Sequence, residues 1–256
     1  MKSTVFFVLM VFELINTASG SHFLGGTITW RIVNASATGS PVSVVITQTY
    51  SWLYGLITCT NAMIAGSQLI GVGVFTNLYS TYLNCVANCG NDSRGYIAPN
   101  VVPHCTDVSA YLSTTIGQRS DTVNLEVDDD FAAAFKSNAW RTLTLFTGTG
   151  SWSISTRITI KKRSDNGLYN NAPVATMMSP LNIPVLKPTI INVPIADMDG
   201  DIIRCRWSTS NTTGVDECGG VCPPDSLPIN TVIYPNCTII ITGPVVGNWF
   251  AVAIMV

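Results

Sequence analysis

The sequence predicts an all-β protein, built as two tandem β-sandwiches that are each stapled by disulfides. Three features of its 256 residues lead there. Stretches of alternating apolar and polar side chains, rich in Val, Ile, Thr and aromatics, recur along the chain, and such period-two runs are half-buried strands. The eight cysteines fall into two sets of four: Cys59, Cys85, Cys89 and Cys105, then Cys205, Cys218, Cys222 and Cys237. An even count divided this way fits two separately cross-linked units in an oxidising compartment. Only 11% of the residues are charged, against about a quarter in an ordinary globular domain. Ser, Thr and Asn supply the missing polarity, as they can on the outer faces of strands.

The same composition excludes several classes of job. Fifteen acidic against thirteen basic side chains leave a net charge of −2, so there is no electrostatic case for a nucleic acid or an anionic membrane. A hydrophobic content of 47% is ample for packed cores and rules out a disordered chain.

Residues 1–20 read as an export signal. Lys2 supplies the positive start, residues 5–12 are a short apolar core, and Ala18 and Gly20 place the cut before Ser21. Eight apolar residues fall far short of the roughly 20 that a bilayer requires. The first domain is then 21–163. Its strands are expected at 27–33, 42–52, 122–127 and 151–160, where apolar and polar residues alternate. Residues 128–136 (DDDFAAAFK) are the one helix candidate, with acids at the positive end of the dipole and an Ala run behind them. Residues 164–172 are polar and turn-rich and mark the linker. The second domain, 173–256, carries strands at 189–195, 202–208 and 238–242, with prolines punctuating the approach. A weak internal similarity joins 143–148 plus Trp152 to 239–243 plus Trp249, each an apolar run ending in Thr-Gly before a Trp.

The cysteine sets each allow three pairings. In the second, Cys205–Cys237 is favoured as a bond between strands and Cys218–Cys222 as a small closed loop. In the first, Cys85-x3-Cys89 with His104-Cys105 could instead form a zinc site, a reading that export and even pairing disfavour. Asn34, Asn91, Asn211 and Asn236 each head an Asn-x-Ser/Thr glycan acceptor. Cys237, in the middle of the last one, hinders its use.

Pro173-Val174-Ala175 opens the second domain, Asp197-Met-Asp-Gly-Asp201 forms an acidic turn, Cys205-Arg-Trp207 begins the next strand, and 250–256 is a late apolar strand. On these residues the second domain resembles extracellular immunoglobulin-like repeats of the cadherin-like and PKD-like kind. The opening of the first domain, 22–30, resembles the leading module of uncharacterised secreted multi-domain surface proteins. The insertion 217–222 departs from ordinary cadherin-like repeats. The resemblance implies immunoglobulin-like sandwiches and a final strand beyond Val256, so the second domain is expected to be incomplete and the chain to be the front of a longer polypeptide. A rival reading makes 249–256 the start of a membrane span.

Chemistry is sparse. His22 lies at the expected mature N-terminus, as a mobile or strand-capping residue, and His104 sits between Pro103 and Cys105; neither has a nucleophile motif beside it. Asp128, Asp129 and Asp130 are expected to be solvated charges at a helix start. Tyr50, Trp52 and Tyr54 share one strand face: exposed, they would stack a sugar or anchor a protein; buried, they are core. Asp197, Asp199 and Asp201 alternate around a glycine, a pattern that suits calcium or, more simply, a tight turn. The expected function is a non-catalytic secreted or cell-surface glycoprotein module for adhesion, recognition or structural support, with an extracellular protein or glycan as partner. The alternative is a carbohydrate-binding module of a larger extracellular enzyme or anchored protein. The calcium reading makes one direct prediction: a chelator lowers the melting temperature of the purified protein, whereas a turn held by its own hydrogen bonds leaves it unchanged.

Overall fold

A computed structural model describes residues 22–71, 81–145, 150–176, 180–210 and 214–256. The export segment 1–20, the acceptor Asn211 and residues 146–148 of the internal similarity lie outside the described residues. The protein is nearly all β. In chain order its elements are β1 (Phe23–Ile32), β2 (Val42–Leu53), the single-turn α1 (Asn61–Ala65), β3 (Asn84–Ala87), β4 (His104–Ser109), β5 (Thr114–Leu125), β6 (Asp130–Asn138) and β7 (Ser151–Thr159). They continue with β8 (Val174–Ala175), β9 (Thr189–Asn192), β10 (Ile195–Ala196), β11 (Arg206–Trp207), β12 (Val232–Ile233), β13 (Thr238–Ile241) and β14 (Ile254–Met255).

The first half contains two antiparallel sheets, ordered β1-β2-β5-β4 and β3-β6-β7. The long strand β2 organises the larger one. It pairs with β5 along its whole length, from Val42 opposite Leu125 to Leu53 opposite Thr114. Its alternation works as expected: Val42, Val44, Ile46, Tyr50 and Trp52 all belong to one core, and Ser43, Val45, Thr47 and Thr49 between them are less buried. Phe131, Ala133 and Phe135 of β6 and Trp152 and Ile158 of β7 enter the same core from the other sheet. Rings from the two sheets meet there: Phe23 stacks on Trp152 at 4.1 Å between centroids, and Tyr50 meets Phe135 edge-on at 5.1 Å. One polar residue shares this face. Gln48 is fully buried, donates to the Asn100 carbonyl (3.0 Å) and accepts from the Tyr50 hydroxyl (2.8 Å). Each group satisfies the other, as buried polar atoms must.

Residues 128–136 are a correction. They form a turn and then β6, not a helix. Asp128 has φ +71°, the Asp129 N–H donates to the Glu126 carbonyl, and the chain reverses into β6. The Ala run serves packing: Phe131 to Phe135 are all buried, so this middle strand is covered on both faces and only small residues fit between the Phe side chains. Helix propensity is a weak prior and yields to such tertiary pairing.

The second half has its own smaller core, centred on Val193, Cys205, Cys237, Ile239 and Ile241. β13 is flanked by β12 and β9, β10 pairs with β8, and β11 pairs with β14, so the late strand is only two residues long here. The expected strand at 202–208 is likewise reduced to Arg206–Trp207. The similarity between 143–148 and 239–243 finds no common structure, since Leu143, Thr144 and Leu145 are not in a strand whereas β13 is. Segment 164–172 is not free chain: Tyr169 is buried in the first core, and Asn171 accepts from the Ile32 N–H through its Oδ1 at 2.8 Å.

Truncating the indole at the centre, Trp52→Ala, is expected to cost about 3–5 kcal/mol. Removing one hydroxyl, Tyr50→Phe, leaves Gln48 short of a partner and is expected to cost about 1–3 kcal/mol. Urea denaturation of the two variants checks both numbers and their order.

Candidate functional site

The ionisable and aromatic groups that could do chemistry gather where the two halves meet. The first contact is polar. Arg163, just past β7, forks onto Asp201 (Nη2–Oδ1 2.7 Å) and onto Asp165 (Nη2–Oδ2 2.9 Å). Asn171 donates its N–H (2.6 Å) and its side-chain amide (3.0 Å) to the Asp199 carboxylate. Asp197 turns inward on its own loop, its Oδ1 accepting from the N–H groups of Asp199 (2.9 Å) and Asp201 (3.0 Å). The three carboxylates do converge, with ligand atoms within 4.8 Å of one another. Yet each is already held by protein donors, one of them a guanidinium. The arrangement is that of a tight turn clasped to the segment before it.

The second contact is the inserted loop around Cys218–Cys222, whose Cα atoms lie 5.1 Å apart. Gly219 has φ +65°, and a Cβ there would meet the Ser151 carbonyl oxygen at 2.9 Å and the Trp152 backbone at 2.8 Å. Only glycine lets the loop lie against the start of β7 in this way. The Gly220 N–H donates to the Ser151 carbonyl (3.1 Å), the Ser153 hydroxyl donates to the Asp216 carbonyl (2.6 Å), and Lys136 reaches Asp216 at 3.7 Å. Glu217 anchors the loop from behind through a two-pronged pair with Arg206, both prongs 2.7 Å, and accepts from the Thr209 N–H at 3.1 Å. Burial alone would push the Glu217 carboxyl up; the Arg206 fork and Thr209 outweigh it and hold the group below its ordinary value.

The third contact is apolar and borders a cleft. Leu143 of the first half packs with Val221 and Ala251 of the second, between Trp140 and Trp249. Two hydrogen bonds lock the two segments together here: Thr144 N–H to the Trp249 carbonyl and Trp249 N–H to the Thr144 hydroxyl, both 2.9 Å. Beside them opens a concavity of about 370 Å³ lined by Leu53, Arg141, Thr142, Thr144, Gly247 and Trp249. The Arg141 guanidinium lies over the Trp249 ring, 3.4 Å from its centroid, and partial burial lowers its affinity for the proton.

The residues singled out in the sequence are placed as follows. Tyr50 and Trp52 have no exposed surface and Tyr54 is half-buried, so the proposed stacking platform is core instead. The inward face of β2 claims them, and burial pushes the Tyr50 hydroxyl well above the ordinary tyrosine range. His22 sits directly before β1, in the strand-capping position, 6% exposed and stacked on Trp52 at 5.5 Å. His104 is exposed, its Nδ1 2.6 Å from the Ser67 carbonyl oxygen. Cys59 bonds to Cys105 and Cys85 to Cys89, so the Cys3His zinc arrangement has no free thiol. Cys205 bonds to Cys237 and Cys218 to Cys222, the expected pairs. Asn34, Asn91 and Asn236 are exposed. Of the three acids expected to be solvated, Asp129 is fully buried, paired with Arg94 at 3.1 Å and accepting from the Glu126 N–H. Asp130 is gripped by Arg157, whose fork, with Thr159, holds its carboxyl below the usual range. The Arg141–Trp249 cleft had no signature in the sequence, because its parts lie on irregular segments far apart in the chain.

No protein-family model matches this chain, and neither the curated proteins nor the solved structures contain a match to it. Function therefore has to be argued from the molecule's own geometry. Several of its buried and half-buried carboxylates, among them Asp129 and Glu217, are paired with arginines. The concave site offers one cation, two threonines and an indole. Such a set can bind and orient a ligand.

The Glu217–Arg206 pair gives a pH-dependent prediction. A carboxyl whose folded value is depressed adds stability above its unfolded value, about 4.3, and that stability is lost as the pH falls through the lower folded value. Glu217→Gln should cost about 1–3 kcal/mol at neutral pH and a smaller amount at pH 3. Thermal melts of the two proteins at both pH values measure the difference.

Proposed function

We propose that this protein is an extracellular, non-catalytic recognition or structural module, built as two tandem immunoglobulin-like sandwiches and exported behind residues 1–20. The observation that carries the reading is the cross-linking: every cysteine is paired, with two disulfides in each half. Such a set persists in an oxidising compartment and not in a reducing one. Among the described residues, no helix is long and apolar enough to cross a membrane. Exposed acceptors at Asn34, Asn91 and Asn236 are consistent with a glycoprotein, and sugars there would add the surface polarity that 11% charged residues do not. The likeness of the second half to cadherin-like and PKD-like repeats belongs to the same reading and favours an adhesive or recognition role. The carbohydrate-binding alternative loses its platform with the burial of Tyr50 and Trp52, so any glycan contact falls to another surface.

Expression of the full chain in a eukaryotic secretory host tests this. The expected product is found in the medium, begins at Ser21, has no titratable thiols when denatured, and loses mass on treatment with an N-glycan amidase. Asn34→Gln and Asn91→Gln should each remove one glycan increment. Recovery inside the cell with free thiols would refute the extracellular assignment.

A further inference from the structure

The junction cleft holds a guanidinium, that of Arg141, which makes no side-chain hydrogen bond among the described residues. Arg94, Arg119, Arg157, Arg163 and Arg206 each grip a carboxylate. Arg31, Arg141 and Arg204 have no carboxylate within ion-pair distance among the described residues, and of these three it is Arg141 whose guanidinium lies over an aromatic ring, that of Trp249. A planar cation stacked on an indole keeps its N–H edges directed sideways, toward whatever lies beside the ring. Its backbone is fixed, because the Arg141 N–H donates to the Phe23 carbonyl at 3.0 Å. Partial burial strips water from the cation, which favours an anionic partner over solvent. The space beside it, about 370 Å³, lies at the low end of small-molecule sites, which run from about 300 to 1,000 Å³.

The rest of the lining narrows the ligand. Thr142 and Thr144, both in the lining, bring two hydroxyl-bearing side chains to the cleft. The Thr144 hydroxyl oxygen accepts from the Trp249 N–H at 2.9 Å. Leu53 and Trp249 supply apolar surface to the same lining. Hydroxyls and apolar surface beside a guanidinium suit a sugar ring that carries one acidic group.

We propose that the Arg141–Trp249 cleft binds an acidic saccharide, with the guanidinium forked onto its carboxylate or sulfate and the ring against Thr142, Thr144 and Leu53. The site exists only when the two halves are docked, since Arg141 comes from one and Trp249 from the other. It rests on the recognition reading above and names a ligand class for it.

The test is a titration of the full-length secreted protein, followed by tryptophan fluorescence and calorimetry. The probes are methyl glucuronide, the methyl glycoside of N-acetylneuraminic acid, glucose 6-sulfate, neutral methyl glucoside, sodium sulfate and an acidic peptide. At least one acidic sugar should bind at least tenfold more tightly than methyl glucoside and than sodium sulfate, and should change the emission of Trp249. The carboxylated and sulfated sugars together distinguish the two sources of negative charge. Arg141→Met should lower affinity for the acidic sugar at least tenfold with a melting temperature near that of the parent. Arg141→Lys keeps the charge without the fork and should lose several-fold; it also serves if the Met variant does not fold. Equal binding of neutral and acidic sugars, sulfate binding as well as the sugars, tighter binding of the peptide, or no binding at all would overturn the proposal. Glycan or cell-surface binding that survives Arg141→Met would also overturn it while leaving the recognition reading intact.

Discussion

The backbone of Ser151 and Trp152, at the start of β7, is the ledge on which both halves of the molecule rest. On its inner side the Trp152 indole stacks on Phe23 and meets Trp52, Phe135 and Trp140 edge-on, with centroids 5.7–6.3 Å apart. On its other side the Ser151 carbonyl accepts from the Gly220 N–H and from the Trp140 indole N–H. A side chain at position 219 would collide with this backbone. The core of the first half therefore sets where the inserted loop can lie. That loop, through Glu217 and Arg206, leads directly to β11.

Seen from that ledge, the scarcity of charge acquires a structural meaning. The few ionic groups lie where loops or segments must be held, as with Arg163 on Asp201, Arg206 on Glu217 and Arg94 on Asp129. Strand faces carry Thr, Ser and Asn that bond across strands, as Thr47 does with Ser120 and Ser43 with Asn124, alongside the ion pairs Arg157–Asp130 and Arg119–Asp121. Surface ion pairs contribute little to stability individually. Forked pairs with one partner buried contribute more, and they also fix geometry.

How much of this could be read from the residues depended on whether the signal was local. The alternation in β2 and β7 was legible because one face of each strand enters a core, and the strands begin or end within a few residues of the expected bounds. The same alternation put Tyr50, Trp52 and Tyr54 on one face, but period alone does not say which side of the sheet is covered. Residues 128–136 misled because an Ala run suits a helix locally and a crowded central strand globally, and only the neighbours β3 and β7 decide between them. Asp129 looked solvated for a similar reason, since Arg94 approaches it from a distant loop. The Asp197–Asp201 turn was legible as a turn; its clasp on Arg163 and Asn171 was not. The Arg141–Trp249 cleft was invisible, because neither residue belongs to a periodic segment.

The disulfides divide the molecule in a way that matters under load. Cys59–Cys105 and Cys205–Cys237 close loops of 46 and 32 residues and restrict the unfolded chain by about 4 kcal/mol each, while the two bonds that span four residues contribute about 2. All four lie within one half or the other. Among the described residues the junction is held by the chain itself, hydrogen bonds, the Arg163–Asp201 and Lys136–Asp216 ion pairs, the Arg141–Trp249 contact and a small apolar cluster. A pull between the two halves would therefore separate them at the Gly219 ledge and the Arg163 clasp before it opened either cross-linked loop. The connecting segment carries no slack of its own, so to extend further the same pull would have to draw Tyr169 out of the first core and Asn171 off Ile32.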